Sequence, residues 1–168
     1  MKKFELTTES ITNVAGKKLF RIKALIDFGD VKAGEVGGYV EKEGNVSQDG
    51  NAWVSGNTRV YGNAWVYGNA RVYGDARVYG NARISGDAWV SGNADYTLIQ
   101  GFGTEFRCTT FYRGKNKKIM VNCGCFHGDL KEFKKQVKET RSGKIAKEYL
   151  MIADLMENHF ASEDSGNE

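Results

Sequence analysis

From Gly50 to Thr97 the chain counts in sixes: GNAWVS, GNTRVY, GNAWVY, GNARVY, GDARVY, GNARIS, GDAWVS and GNADYT follow one another without a gap over 48 residues. The fifth place of each hexad is Val or Ile (Val54, Val60, Val66, Val72, Val78, Ile84, Val90) until Tyr96, and the third is Ala or Thr, from Ala52 and Thr58 to Ala94. One branched and one small residue at a fixed period imply two inward rows. Gly with Asn or Asp between them suits a tight corner, because both tolerate left-handed backbone.

Such a period is the signature of a short left-handed parallel β-helix, in which three hexads make one triangular coil. Antiparallel hairpins also favour Gly-Asn turns, but nothing would hold their loops in one six-residue phase. The solenoid is therefore placed at residues 44–97, about three coils; upstream, residues 38–49 echo the pattern with Gln48 in an aliphatic place, so the first coil is irregular. A stack this short exposes two open edges, so its flanks must cover them.

Residues 1–43 are expected to form an N-terminal β cap with a strand over Lys18–Phe28. Residues 98–160 read as an α+β cap: a hairpin of Thr104–Tyr112 and Lys118–Cys125 about Arg113-Gly114-Lys115-Asn116, then two helices. Asp129 with Glu132 forms a capping box ahead of Leu130, Phe133 and Val137, and Ile145 to Phe160 repeats the amphipathic pattern. Residues 161–168 read as a disordered acidic tail.

The chain has no Pro but 21 Gly, no apolar run long enough to span a bilayer, and three Cys. A soluble, cytoplasmic protein without disulfides or membrane attachment is expected. Net charge is only +3; residues 98–160 hold 12 basic and 7 acidic side chains, residues 44–97 four Arg and four Asp. An excess of that size does not predict specific nucleic-acid binding.

Residues 18 apart stack when three hexads close a coil, which turns the outward positions into columns. Trp53, Arg71 and Trp89 form one, with Arg71 placed between two indoles for cation–π contact. Trp65 and Arg83 form the second; Arg59, Arg77 and Asp95 the third. Tyr61 stacks on Tyr79, Tyr67 lies over Ser85, and Tyr73 lies between Ser55 and Ser91. These side-chain types are enriched at interface hot spots, and Arg beside aromatic rings also suits phosphate and a base. The eleven Arg, Trp and Tyr side chains are candidates for a homotrimer interface, or for a cleft taking a small anionic, nucleotide-like ligand.

Cys123-Gly124-Cys125-Phe126-His127 offers at most three metal ligands and lacks the second pair that structural zinc requires. No metal or cofactor is expected. The hexads resemble those of bacterial acyltransferases that use acyl-CoA or acyl-carrier protein, where a His near the solenoid serves as general base. Here the only His, His127 and His159, lie outside the repeats, so a binding or scaffold protein is expected rather than an enzyme. The whole layout, from FRIKALIDFGDVKAGEVGGYVEKEGNVSQDGNAWV through GNARVYGDARVYG to FRCTTFYRGKNKKIMVNCGCFHGDLKEFKKQV and EYLMIADLMENHF, resembles a family of small bacteriophage and prophage proteins. That resemblance implies a phage origin and brings no activity with it.

Overall fold

Short parallel rungs form wherever a hexad places an outward residue before its inward Val or Ile. In the computed structural model, which describes residues 1–161, seven two-residue strands follow one another: β4 (Trp53–Val54), β5 (Arg59–Val60), β6 (Trp65–Val66), β7 (Arg71–Val72), β8 (Arg77–Val78), β9 (Arg83–Ile84) and β10 (Trp89–Val90). They pair in parallel as β4-β7-β10, β5-β8 and β6-β9, each residue opposite the one 18 positions on. The inward valines, Ile84 and alanines 52 to 88 are buried to within 1 % exposure, one continuous core. Seven corner glycines, Gly50 to Gly86, sit at φ of 61° to 69°. At Gly50 a Cβ would stand 2.8 Å from the carbonyl oxygen of Gly68, so the corner requires glycine for space as well as conformation.

Between rungs the outward residues donate toward the C-terminal end, Trp53 N–H to Ala70 O, Arg59 to Ala76 O and Trp65 to Ala82 O, while the inward residues between them turn their groups the other way, as a parallel ladder requires. Each end of the stack therefore presents both N–H and C=O groups, and the flanks supply their partners. At the N-terminal end side chains donate to free carbonyls: Lys3 Nζ to Ala52 O (2.9 Å), Asn45 Nδ2 to Ala64 O (2.9 Å), Arg21 to Gly37 O (2.9 Å). At the C-terminal end both kinds of partner appear: Asn93 Oδ1 accepts from Arg77 N–H, Thr110 Oγ1 from Arg83 N–H and the Asp95 carboxylate from Ser91 N–H, while Asn122 Nδ2 donates to Arg83 O. The corner side-chain amides run in one direction. Asn51 donates to Asn69 and Asn69 to Asp87, Asn57 to Asp75, Asn63 to Asn81 and Asn81 to Gln100. The two Gly-Asp corners are thus ladder ends, where a group that only accepts is sufficient.

The N-terminal flank is more than one strand. A hairpin of β1 (Phe4–Thr12) and β2 (Lys18–Ala24) pairs antiparallel with β3 (Val36–Val40), which itself pairs in parallel with β5. The strand expected to reach Phe28 ends at Ala24, and one sheet crosses the boundary expected at residue 43. Val40 and Val46 lie opposite Val60 and Val66, 20 rather than 18 residues on, so two extra residues lie between Val46 and Trp53. Gln48 is consequently outside the aliphatic row. Its side chain accepts from Lys3 and Phe4 N–H and donates to Phe4 O, docking the first strand.

Lys3 is 2 % exposed and lies 4.7 Å from the Phe28 ring centre. Burial, with a smaller push from Arg71, lowers its amine to about 8, against the opposing pull of Asp49. Between about 8 and the unfolded value of 10.5 the unfolded chain holds this proton and the folded chain does not, so stability rises with pH through that window. The Cys108 thiol and the Tyr96 and Tyr112 phenols, all raised by burial, act in the opposite direction. Comparing thermal midpoints at pH 8 and pH 10 in wild type and Lys3→Met isolates the lysine: the variant loses the upward component.

The eighth hexad leaves the stack. Gly92 is extended at φ −161°, Asn93–Asp95 forms a 3₁₀ turn, and Ala94 is exposed rather than inward. Tyr96 opens an antiparallel sheet of β11 (Tyr96–Phe102), β12 (Arg107–Arg113), β13 (Ile119–Cys123) and β14 (Phe126–Asp129). The expected hairpin is β12–β13, each strand starting slightly later than anticipated, flanked by two strands that were not anticipated. Alternation on β12 sends Tyr112 into the solenoid core and Phe111 under the helices. Helices α1 (Leu130–Thr140) and α2 (Gly143–Phe160) pack Phe133, Val137, Tyr149 and Met156 there, and the Asp129–Glu132 capping box is present. Neither is long and apolar enough to cross a membrane. Apart from Ala161, the expected acidic tail lies outside the described residues.

Candidate functional site

Three outward columns form, but their side chains do not all stay free. Trp53 is 2 % exposed, covered edge-on by Phe4 (6.2 Å) and Phe28 (5.4 Å). It belongs to the first rung, whose outer face the N-terminal segment closes. Arg71 does stack between Trp53 and Trp89 along the backbone, yet its guanidinium pairs with Asp30 rather than an indole. Partial burial lowers its pKa. At the far end Trp89 is 44 % exposed, edge-on to Tyr73 and under the Lys115 ammonium.

In the β3-β5-β8 column Arg59 and Arg77 are neighbours, without a carboxylate partner among the described residues. Asp95 does not continue the column: it pairs with Arg113 at 3.3 Å and accepts from Ser91. Tyr61 and Tyr79 stack as expected, 5.3 Å apart and nearly parallel. Tyr67 instead stacks on Trp65 at 4.0 Å, and Ser85 turns inward to Tyr112 and Asn122.

The Trp65–Arg83 column opens, at Arg83, into a groove bounded by the C-terminal sheet. Arg83 lies 5.8 Å from the Trp65 ring centre and lines the groove with Asn81, Gln100, Phe106, Arg107 and Cys108. Neither Arg83 nor Arg107 has a carboxylate partner among the described residues. The Asn63→Asn81→Gln100 ladder ends here, its terminal amide donor without an acceptor among the described residues. Phe106 holds φ at +49°, rare for a ring-bearing residue, and is 68 % exposed. Burial raises the Cys108 thiol, which faces Asn81 O at 3.5 Å. Donors and an aromatic plane, with no acid among them, suit an acceptor-rich, planar anion.

Arg107, Phe106 and Gln100 were not among the sequence candidates. They lie beyond the repeat, where no period marks a residue, and only the sheet brings them beside Arg83. His127, also outside the repeat, rests on a solenoid corner: a Cβ on Gly86 would meet its ring at 2.9 Å, and its Nε2 is 3.1 Å from the Tyr112 hydroxyl. Cys123 faces Thr109 Oγ1 at 3.1 Å, and no group of three potential metal ligands forms among the described residues.

Stacked six-residue rungs under an α+β module define a β-solenoid repeat protein. Residues 64–78 and 76–92 match the model of the YdcK beta solenoid repeat, the segment that carries β6 to β10. A comparison with curated proteins gave no match.

Proposed function

We propose that this chain is a non-catalytic binding protein that sequesters a small anionic, nucleotide-like molecule in the groove between Arg83 and Arg107. The observation that carries the reading is two arginines without a carboxylate partner among the described residues, beside an exposed aromatic ring in a strained backbone position. We further propose that the rungs wind as a left-handed β-helix of about three coils, a winding for which the 18-residue pairing is the support. The exposed Trp89, Tyr73 and Tyr79 are assigned to homotrimer contacts, a role for which their aromatic character argues. The resemblance to phage proteins supports a phage or prophage origin and action in the host cytoplasm, where removal of a nucleotide signal would counter host defence.

Calorimetry with a panel of linear and cyclic nucleotides tests the reading. One member is expected to bind with Kd at or below about 10 μM, and Arg83→Ala to weaken it at least about tenfold with the oligomeric state unchanged. Dissociation of the oligomer by Arg83→Ala would instead assign that face to subunit contacts.

The placement of His127 against a solenoid corner favours a second reading, acyl transfer from a CoA thioester with His127 as base. Thiol release from acyl-CoA that His127→Ala abolishes would establish it.

A further inference from the structure

Arg107 lines two adjoining depressions. One is the groove it shares with Arg83 and Phe106. The other is a cleft between the β13–β14 turn and the helices, where it shares the lining with Arg141, Phe102, Tyr149 and Cys125. Gly124 explains how one side chain serves both: the Arg107 guanidinium packs where a Cβ on Gly124 would be, at a backbone φ of 61°. Arg141, just past the C-terminus of α1, has no carboxylate partner among the described residues. The second cleft shares with the first a pair of arginines and a partly exposed phenylalanine, Phe102 being 37 % exposed. The Glu105 carboxylate also borders the cleft and weakens its attraction for anions. The Tyr149 hydroxyl is already committed to Phe102 O at 3.1 Å, which fixes the rim.

We propose that the ligand is a dinucleotide: one phosphate between Arg83 and Arg107, a second between Arg107 and Arg141, and the two bases against Phe106 and Phe102. Arginine suits both positions because its planar fork takes phosphate oxygens two at a time, and each exposed ring offers a face for stacking. This rests on the nucleotide-binding reading of the Arg83 groove and adds a second basin to it.

The cysteines give each basin its own reporter, since Cys108 lines only the first and Cys125 only the second. The probes are AMP and the 5′-phosphorylated linear dinucleotide pApA, titrated into the intact protein by calorimetry and used to shield thiols from iodoacetamide, read by peptide mass spectrometry. The dinucleotide is expected to bind at least about tenfold tighter than AMP. It should shield Cys108 and Cys125, whereas AMP shields Cys108 alone. Arg141→Ala should abolish the gain while leaving AMP binding unchanged, and Arg83→Ala should weaken both. Equal affinity for the two probes, or an Arg141→Ala variant that keeps the full gain, overturns the second basin and leaves a mononucleotide site. No heat and no shielding with either probe overturns the nucleotide reading and this inference together.

Discussion

Val72→Asp unfolds the protein at 25 °C. Val72 is fully buried in the middle of its column, with Val54 on one side and Val90 on the other. The alanine row and the other two valine columns complete an apolar interior, so the new carboxylate has neither water nor a donor. The cost exceeds about 4 kcal/mol, comparable with the whole stability of many domains of this size. Thermal melting by circular dichroism checks it: the variant shows no cooperative transition, whereas a loss below about 1 kcal/mol would mean that Val72 does not face the interior.

Removing residues 98–168 leaves an aggregating remnant. The last rungs have no rung above them, and the sheet that follows supplies the missing partners. Thr110 Oγ1 accepts from Arg83 N–H, Asn122 Nδ2 donates to Arg83 O, and Lys115 N–H donates to Asp87 O. Tyr112 closes the end of the core, wholly buried, with its hydroxyl between Ser85 and His127. Truncation bares these groups and the apolar row beneath them, an open parallel edge ready to pair with another copy. Light scattering after size-exclusion chromatography is expected to show large assemblies. A monodisperse, folded remnant would mean that the solenoid closes its own end.

The repeat was legible because its period is enforced at every corner: a hexad that broke phase would turn its valine outward. The capping box at Asp129 was legible for a similar reason, since both partners lie within one turn. Gln48 misled because the hexad count was carried back through a two-residue insertion that has no marker in composition. The Gly-Asp corners looked interchangeable with Gly-Asn until the direction of the amide ladder separated them. Trp53 looked like a surface residue because its burial depends on Phe4 and Phe28, more than 20 residues away in the chain. The groove was the least legible feature. Arg83 was visible in its column, but Arg107 and Phe106 reach it only through antiparallel pairing of residues that follow no period.

Nitrogen–proton correlation NMR of the intact protein, titrated with AMP, tests the binding account most directly. Resonances of Arg83, Gln100, Phe106 and Arg107 should shift together and saturate along one binding curve, with Trp89 and Tyr73 unmoved. Shifts confined to Trp89, Tyr73 and Tyr79, or a spectrum unchanged at millimolar AMP, would contradict it.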